Sequence, residues 1–291
     1  MQNEKSRFLL FMLLSLYLLG GILRLLAGRV PSLLIVTLHV IPPALFAVIH
    51  GARIYGSRGI LVFTALCLSV GAFFEIVSLG TGFPFGHYRF TELMGPKLFD
   101  LPILLALAYI GMGYSSWVLG RIILVPRNET LSRRNFVLLP VVASFVMTAW
   151  DLSTEPVWAD IDHAWVWRDG GSYYGVPISN FFGWFLTTYV FYQLFALYLR
   201  NRAVVSSRIW RLAILLYAIS AIENLFVVAP GSLGEVFVDA SGTRWRISNI
   251  LWTSRLVSLF LMIPVSLFAW IRAFQPTEPV TAQISQSAPS E

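Results

Sequence analysis

Eight apolar runs, each of a length that approaches or reaches a bilayer crossing, take up most of this 291-residue chain. They cover approximately Phe8 to Ala27, Leu33 to His50, Ile60 to Leu79, Leu98 to Leu119, Phe136 to Asp151, Ile178 to Leu199, Ile209 to Ala229 and Ile247 to Ile271. Charged residues make up 12% of the chain, about half the usual share of a soluble domain, too few to coat a water-facing surface. The expectation is an all-α, polytopic transmembrane helix bundle of about eight spans. Seven is the alternative count, because the fifth run is short and the second contains Pro42-Pro43, which implies a kink and freed carbonyls. Residues 1–272 read as a single membrane domain. Residues 273–291, rich in Pro, Ser, Thr and Gln, read as a disordered polar tail.

Charge follows the same alternation. With eight spans, 13 of the 21 cations (Lys5, Arg7, Arg53, Arg58, Arg121, Arg127, Arg133, Arg134, Arg200, Arg202, Arg208, Arg211 and Arg272) share one side with the termini. The excess of Lys and Arg makes that side cytoplasmic. The net charge of +6 is thus a matter of topology, and no nucleic-acid partner is expected. Eleven of the 15 acids belong to the outer half, and three of them lie within spans.

Those three, Glu75, Asp151 and Glu223, lie 15, 15 and 14 residues into outward-running helices, or about 21–23 Å from the inner boundary. An ionisable group at that depth is costly and faces a protein interior or a wet cavity. One such acid would be explained by pairing with Arg24, Arg89, Arg246 or Arg255; three at one level suggest a shared polar pocket. The loops after the first two are dense in Gly, Pro and aromatic residues. An aromatic belt is the ordinary explanation, but Gly-Tyr elements in both loops suggest a lid or cavity wall on the outer face.

Several chemistries fail on supply. The four histidines, His39, His50, His87 and His163, are too few and wrongly spaced for a di-iron site, and H-E-x-x-H is absent. The only lysines, Lys5 and Lys97, exclude a mid-span Schiff base, and there is no phosphate-binding glycine loop. No metal or cofactor is expected; Asp160-Ile-Asp162 alone has the look of a metal-diphosphate element, without the aspartate-rich flanks. Acid catalysis by carboxyl groups beside aromatic faces remains: a dry acid protonates an alkene, and the rings stabilise the cation. On this reading Asp151 or Glu75 donates the proton, and the other, or Glu155, orients water; Glu223 is a further candidate. Tyr88, Trp167, Tyr174 and Trp184 would line the pocket, with Phe85, Tyr173 and Asn180 beside them. His87 or His163 would relay protons or simply bond at the interface.

Glu75, the GFPFGHY run from Gly82 to Tyr88, Gly95-Pro96, DLSTEP from Asp151 to Pro156, Trp167, GSYYGVP from Gly171 to Pro177 and NFFGW from Asn180 to Trp184 together resemble a known family. It comprises bacterial and archaeal carotenoid biosynthesis membrane proteins, including the CruF-type carotenoid 1,2-hydratases (bisanhydrobacterioruberin hydratase and γ-carotene 1'-hydratase). The resemblance is strong over about Ile60 to Leu199. It implies cofactor-independent addition of water to the terminal C1–C2 double bond of an acyclic carotenoid, lycopene- or γ-carotene-like, in a bacterial inner membrane, with lipid and other carotenoid enzymes as neighbours. The alternatives are an end-group cyclase or isomerase and, in a different class, a proton-coupled transporter or lipid-binding carrier.

Overall fold

The computed structural model describes residues 2–125, 129–202, 204, 209–228 and 235–275. The main helices are α1 (Gln2–Arg24), α2 (Ser32–Thr81), α3 (Ile103–Leu124), α4 (Arg133–Pro156), α5 (Ile178–Leu199), α6 (Trp210–Phe226), α7 (Ile247–Val257) and α8 (Ile263–Phe274). A π-helical segment, Ser258–Met262, joins α7 to α8 in one continuous span, and another, Val157–Ile161, extends α4. Among the described residues, six helices are long and apolar enough to cross a membrane.

The 50 residues of α2 contain the second and third apolar runs. At Gly56 the backbone leaves helical geometry with φ 74° and ψ 165°, a conformation that favours a residue without Cβ. His50 and Phe63 lie on opposite sides of that break and both pack on Tyr114. Thirteen residues apart on a straight helix, they would be about 20 Å from each other, so the chain reverses between them. The proline pair behaves otherwise than expected: Pro42 and Pro43 remain within the helix, the break falls at Gly56, and Gly111 of α3 seats directly against Pro43. Taken as two segments about Gly56, α2 holds the second and third of the apolar runs, and the 17-residue α6 holds the seventh without being one of the six helices long and apolar enough to cross.

Helix α3 runs through the middle, with Tyr114, Trp117, Val118 and Leu119 fully buried. Its small residues allow close approach, which drives helix association where no hydrophobic gradient exists between protein and lipid. The periphery is apolar instead: Phe8, Leu61, Phe73, Phe145, Phe182, Phe260 and Phe268 are all exposed. A belt of this size is untenable in water and ordinary in hydrocarbon. Polar side chains tie the helices inside: Ser153 of α4 bonds the carbonyl of Ser254 and the Ser258 hydroxyl, and Asn224 of α6 donates to Ser153.

Element ends differ from expectation where loops take over. The fourth span opens at Ile103, because residues 97–102 form the two-residue strands β2 (Lys97–Leu98) and β3 (Leu101–Pro102). The fifth is longer than expected: Ser132 caps its start by accepting from the Asn135 amide, and it extends past Asp151 to Pro156. Ala273 and Phe274, assigned to the tail, complete the last turn of α8, because the apolar pattern carries on through them. The rest of the tail, 276–291, lies outside the described residues, as do Arg127 and Arg208.

Candidate functional site

The two aromatic loops meet. Strand β1 (Tyr88–Phe90) pairs antiparallel with β4 (Trp165–Trp167), setting Tyr88 opposite Trp167 and Phe90 opposite Trp165. Alternation along each strand turns these four rings to one face, and the ring pairs touch, with centroids 5.0 Å and 6.4 Å apart. The expected cavity wall is this ribbon. Gly82, with φ 81°, ends α2 in the left-handed conformation, and its N–H bonds the Ser78 carbonyl at 2.8 Å. Ser78 Oγ then accepts from the Phe85 amide and donates to the Gly86 carbonyl. From the other side, Ser179 donates to the Phe85 carbonyl at 2.9 Å. The loop is thereby folded back over the C-terminal end of α2 and the N-terminal end of α5, with Phe85 buried.

Beneath the ribbon is a cavity of about 30 Å³, bounded by Glu75, Glu155, Asn180, the ribbon rings, Phe85, Leu105 and Trp184. Its volume suits a water molecule. The two carboxyl groups come from different helices and are held in different ways. Glu75 accepts from two phenols, Tyr109 at its Oε1 (2.8 Å) and Tyr88 at its Oε2. Glu155 takes both its donors at one oxygen: the indoles of Trp165 and Trp167 donate to Oε1 at 2.6 and 2.9 Å. Its Oε2 receives no hydrogen bond from the described residues. Burial first, and then the Glu75 charge, hold the Tyr88 phenol well above its ordinary range, so it stays a donor.

Asp151 stands one helical turn before Glu155 and accepts from Asn180 Nδ2 at 3.0 Å. Asn180 borders the cavity and Asp151 sits behind it. Trp184 stacks on Tyr109 with centroids 4.6 Å apart and an interplanar angle of 19°. Of the residues expected from sequence, Glu75, Glu155, Phe85, Tyr88, Trp167, Asn180 and Trp184 thus share one chamber, with Asp151 at its back.

Four others lie elsewhere. Glu223 does not join the other acids: it pairs with His39 across α6 and α2, and Gly21 of α1 packs against its carboxyl. Equal depth places acids on one level but does not turn them toward one point. His87 is half exposed and bonds Asp169 at 2.7 Å. Tyr173 donates to the Leu152 carbonyl, and Tyr174 bonds Thr253 at 2.6 Å, so both phenols anchor the loop rather than face the cavity. Arg24 pairs with Asp162, not with a span acid, and lies over the Trp158 ring. Burial still raises the Asp162 carboxyl above its usual range despite that cation.

Sequence reasoning missed Trp165, Phe90 and Leu105 as cavity residues, and Tyr109 as a ligand of Glu75. The first two had a signal: each is two residues from a ring already named, hence on the same face of a strand. Tyr109 had none, since only packing brings it over Gly71 to Glu75.

A family model described as carotenoid biosynthesis protein matches residues 32–240, a stretch that contains every element of this chamber. Neither a curated protein nor a solved structure matches the chain.

Proposed function

Because this chain belongs to the carotenoid biosynthesis protein family, we propose that it hydrates the terminal C1–C2 double bond of an acyclic, lycopene- or γ-carotene-like end group. The observation that carries the reading is the pair Glu75 and Glu155, from separate helices, on one aromatic-walled cavity. Glu155, with Oε2 free of donors, delivers its proton to C2, and the positive charge develops at the tertiary C1. The faces of Tyr88, Trp167 and Trp184 stabilise that charge through their quadrupoles. Water held between the two carboxyl groups attacks C1 and gives its proton to the Glu75 carboxylate. One water is consumed, and the proton passes back from Glu75 to Glu155 to reset the site. Asp151 acts through Asn180 as a positioning residue.

The polyene enters from the bilayer, with Phe90 and Trp165 at the rim moving aside to admit the end group. The arginine-rich end of the bundle faces the cytoplasm, which puts both the chain's N-terminus and α8's end there and the chamber in the opposite half of the bilayer. Expression in a lycopene-accumulating host, followed by mass analysis of the pigments, tests the reading. A carotenoid heavier by one water supports it. A cyclised pigment of unchanged mass would replace it with a cyclase, and unaltered lycopene in the presence of inserted protein would overturn it.

A further inference from the structure

At the end of the bundle opposite the chamber, the last turn of α3 buries an arginine. Arg121 is 2% exposed and lies sixteen residues, or about 24 Å, along the helix from cavity residue Leu105. Its Nη2 donates to the Glu129 backbone carbonyl at 3.0 Å, while Nη1 is buried with no partner. Among the described residues no carboxylate lies within ion-pair distance of it. A buried cation left in that condition is costly.

A second orphaned donor is adjacent. Trp210, the first residue of α6, has its ring 5.8 Å from the Arg121 guanidinium carbon, and its Nε1 is also buried without a partner. Indole N–H and guanidinium are donors only, so what would satisfy both is an acceptor. Helix α6 adds the partial positive charge of its N-terminus, where Ile209 supplies no side-chain cap. The Ile209 carbonyl does not serve Arg121, being taken by His50 Nε2 at 2.8 Å. By the order of the helices, the same end of the bundle also carries Arg53, Arg58, Arg133, Arg134 and Arg200.

We propose that Arg121 and Trp210, at the start of α6, form a binding site for a phosphate group, unconnected with the chemistry of the carboxylate chamber. A phosphate oxygen would accept from Arg121 Nη1 and Trp210 Nε1 together, and its charge would neutralise the arginine. Both a phospholipid headgroup and free phosphate offer that chemistry.

The test uses the full chain, delipidated in a neutral detergent. Binding is measured calorimetrically with inorganic phosphate and, separately, with mixed micelles containing phosphatidylglycerol. Saturable binding of both probes supports the site with either source; binding of phosphatidylglycerol alone supports it with the headgroup as the source. In each case Trp210→Phe, which keeps the ring and removes one donor, should weaken binding about tenfold. Arg121→Gln should abolish it, and Arg121→Lys, which keeps the charge but loses the planar fork, should weaken it should the glutamine variant not fold. Failure of both probes to bind, or unchanged affinity in Trp210→Phe, overturns the proposal and leaves Arg121 as a structural tie to Glu129.

Discussion

Trp165 and Trp167, two residues apart on one strand, both donate their indole hydrogens to the same oxygen of Glu155. The consequence is an asymmetric carboxyl group: Oε1 accepts both donors, and Oε2, which receives none from the described residues, is the oxygen that carries the proton in the proposed hydration. Glu155→Gln preserves an oxygen for the two indoles and removes only the acid. The hydrated pigment should fall by at least ~100-fold, the usual loss when a general acid is removed, with membrane insertion unchanged. Trp167→Phe removes one of the two hydrogen bonds and should cost about 10-fold to 100-fold. Pigment mass analysis beside a size-exclusion profile reads both. Full activity in the glutamine variant would take Glu155 out of the proton-transfer role.

Glu75 is held in the opposite fashion, one phenol on each oxygen. The two phenols fix the position of the carboxyl group, which in the proposed hydration receives the proton of the attacking water. Glu75→Gln should abolish hydration, while Tyr109→Phe should lower it by about 10-fold, since one donor is lost but the stack on Trp184 persists. An equal and complete loss in both variants would mean that Tyr109 itself handles the proton.

The helical bundle was legible because hydropathy is a one-dimensional signal, and it picked out both apolar runs that lie within the single helix α2. The chamber was legible where chemistry and sequence neighbourhood coincide: Glu75 with the Gly82–Tyr88 loop, Glu155 with Trp167, Asn180 with Trp184. It was illegible where rotation about a helix axis decides. Asp151, Glu155 and Glu223 all stand toward the C-terminal ends of their helices, yet Asp151 is turned behind Asn180 and Glu223 toward His39. A residue count gives depth along a helix, and azimuth comes only from how helices pack.

Gly183 is a packing requirement of the cavity. A Cβ there would lie 2.6 Å from Phe85 Cδ1 and 3.1 Å from the Pro84 carbonyl carbon. Gly183→Ala should push Phe85 into the chamber and lower activity by about tenfold or more, with a destabilisation of about 1–3 kcal/mol typical of overpacking. Combining it with Phe85→Leu should restore part of the activity, because the smaller side chain vacates the contested space. A double variant no better than the single one would show that the damage arises elsewhere on α5.

The hairpin of β5 (Val236–Val238) and β6 (Arg244–Arg246) is organised by Asp239. Its carboxyl accepts from the Ser241 amide and hydroxyl, the Thr243 amide and the Trp245 indole, at 2.6–3.0 Å. Burial alone would raise its pKa, but these hydrogen bonds outweigh burial and hold it below the ordinary aspartate range. A depressed folded-state pKa means that the stabilisation is complete above the unfolded value, about 3.9, and disappears as the pH falls through the lower folded value. Hydrogen exchange of residues 235–246 should therefore be unchanged between about pH 5 and 8 after correction for the intrinsic rate. Protection should be lost in acid, below about pH 4. Asp239→Asn should show the weakened hairpin at every pH and no acid step. An acid step that survives the substitution would assign the transition to another carboxyl group.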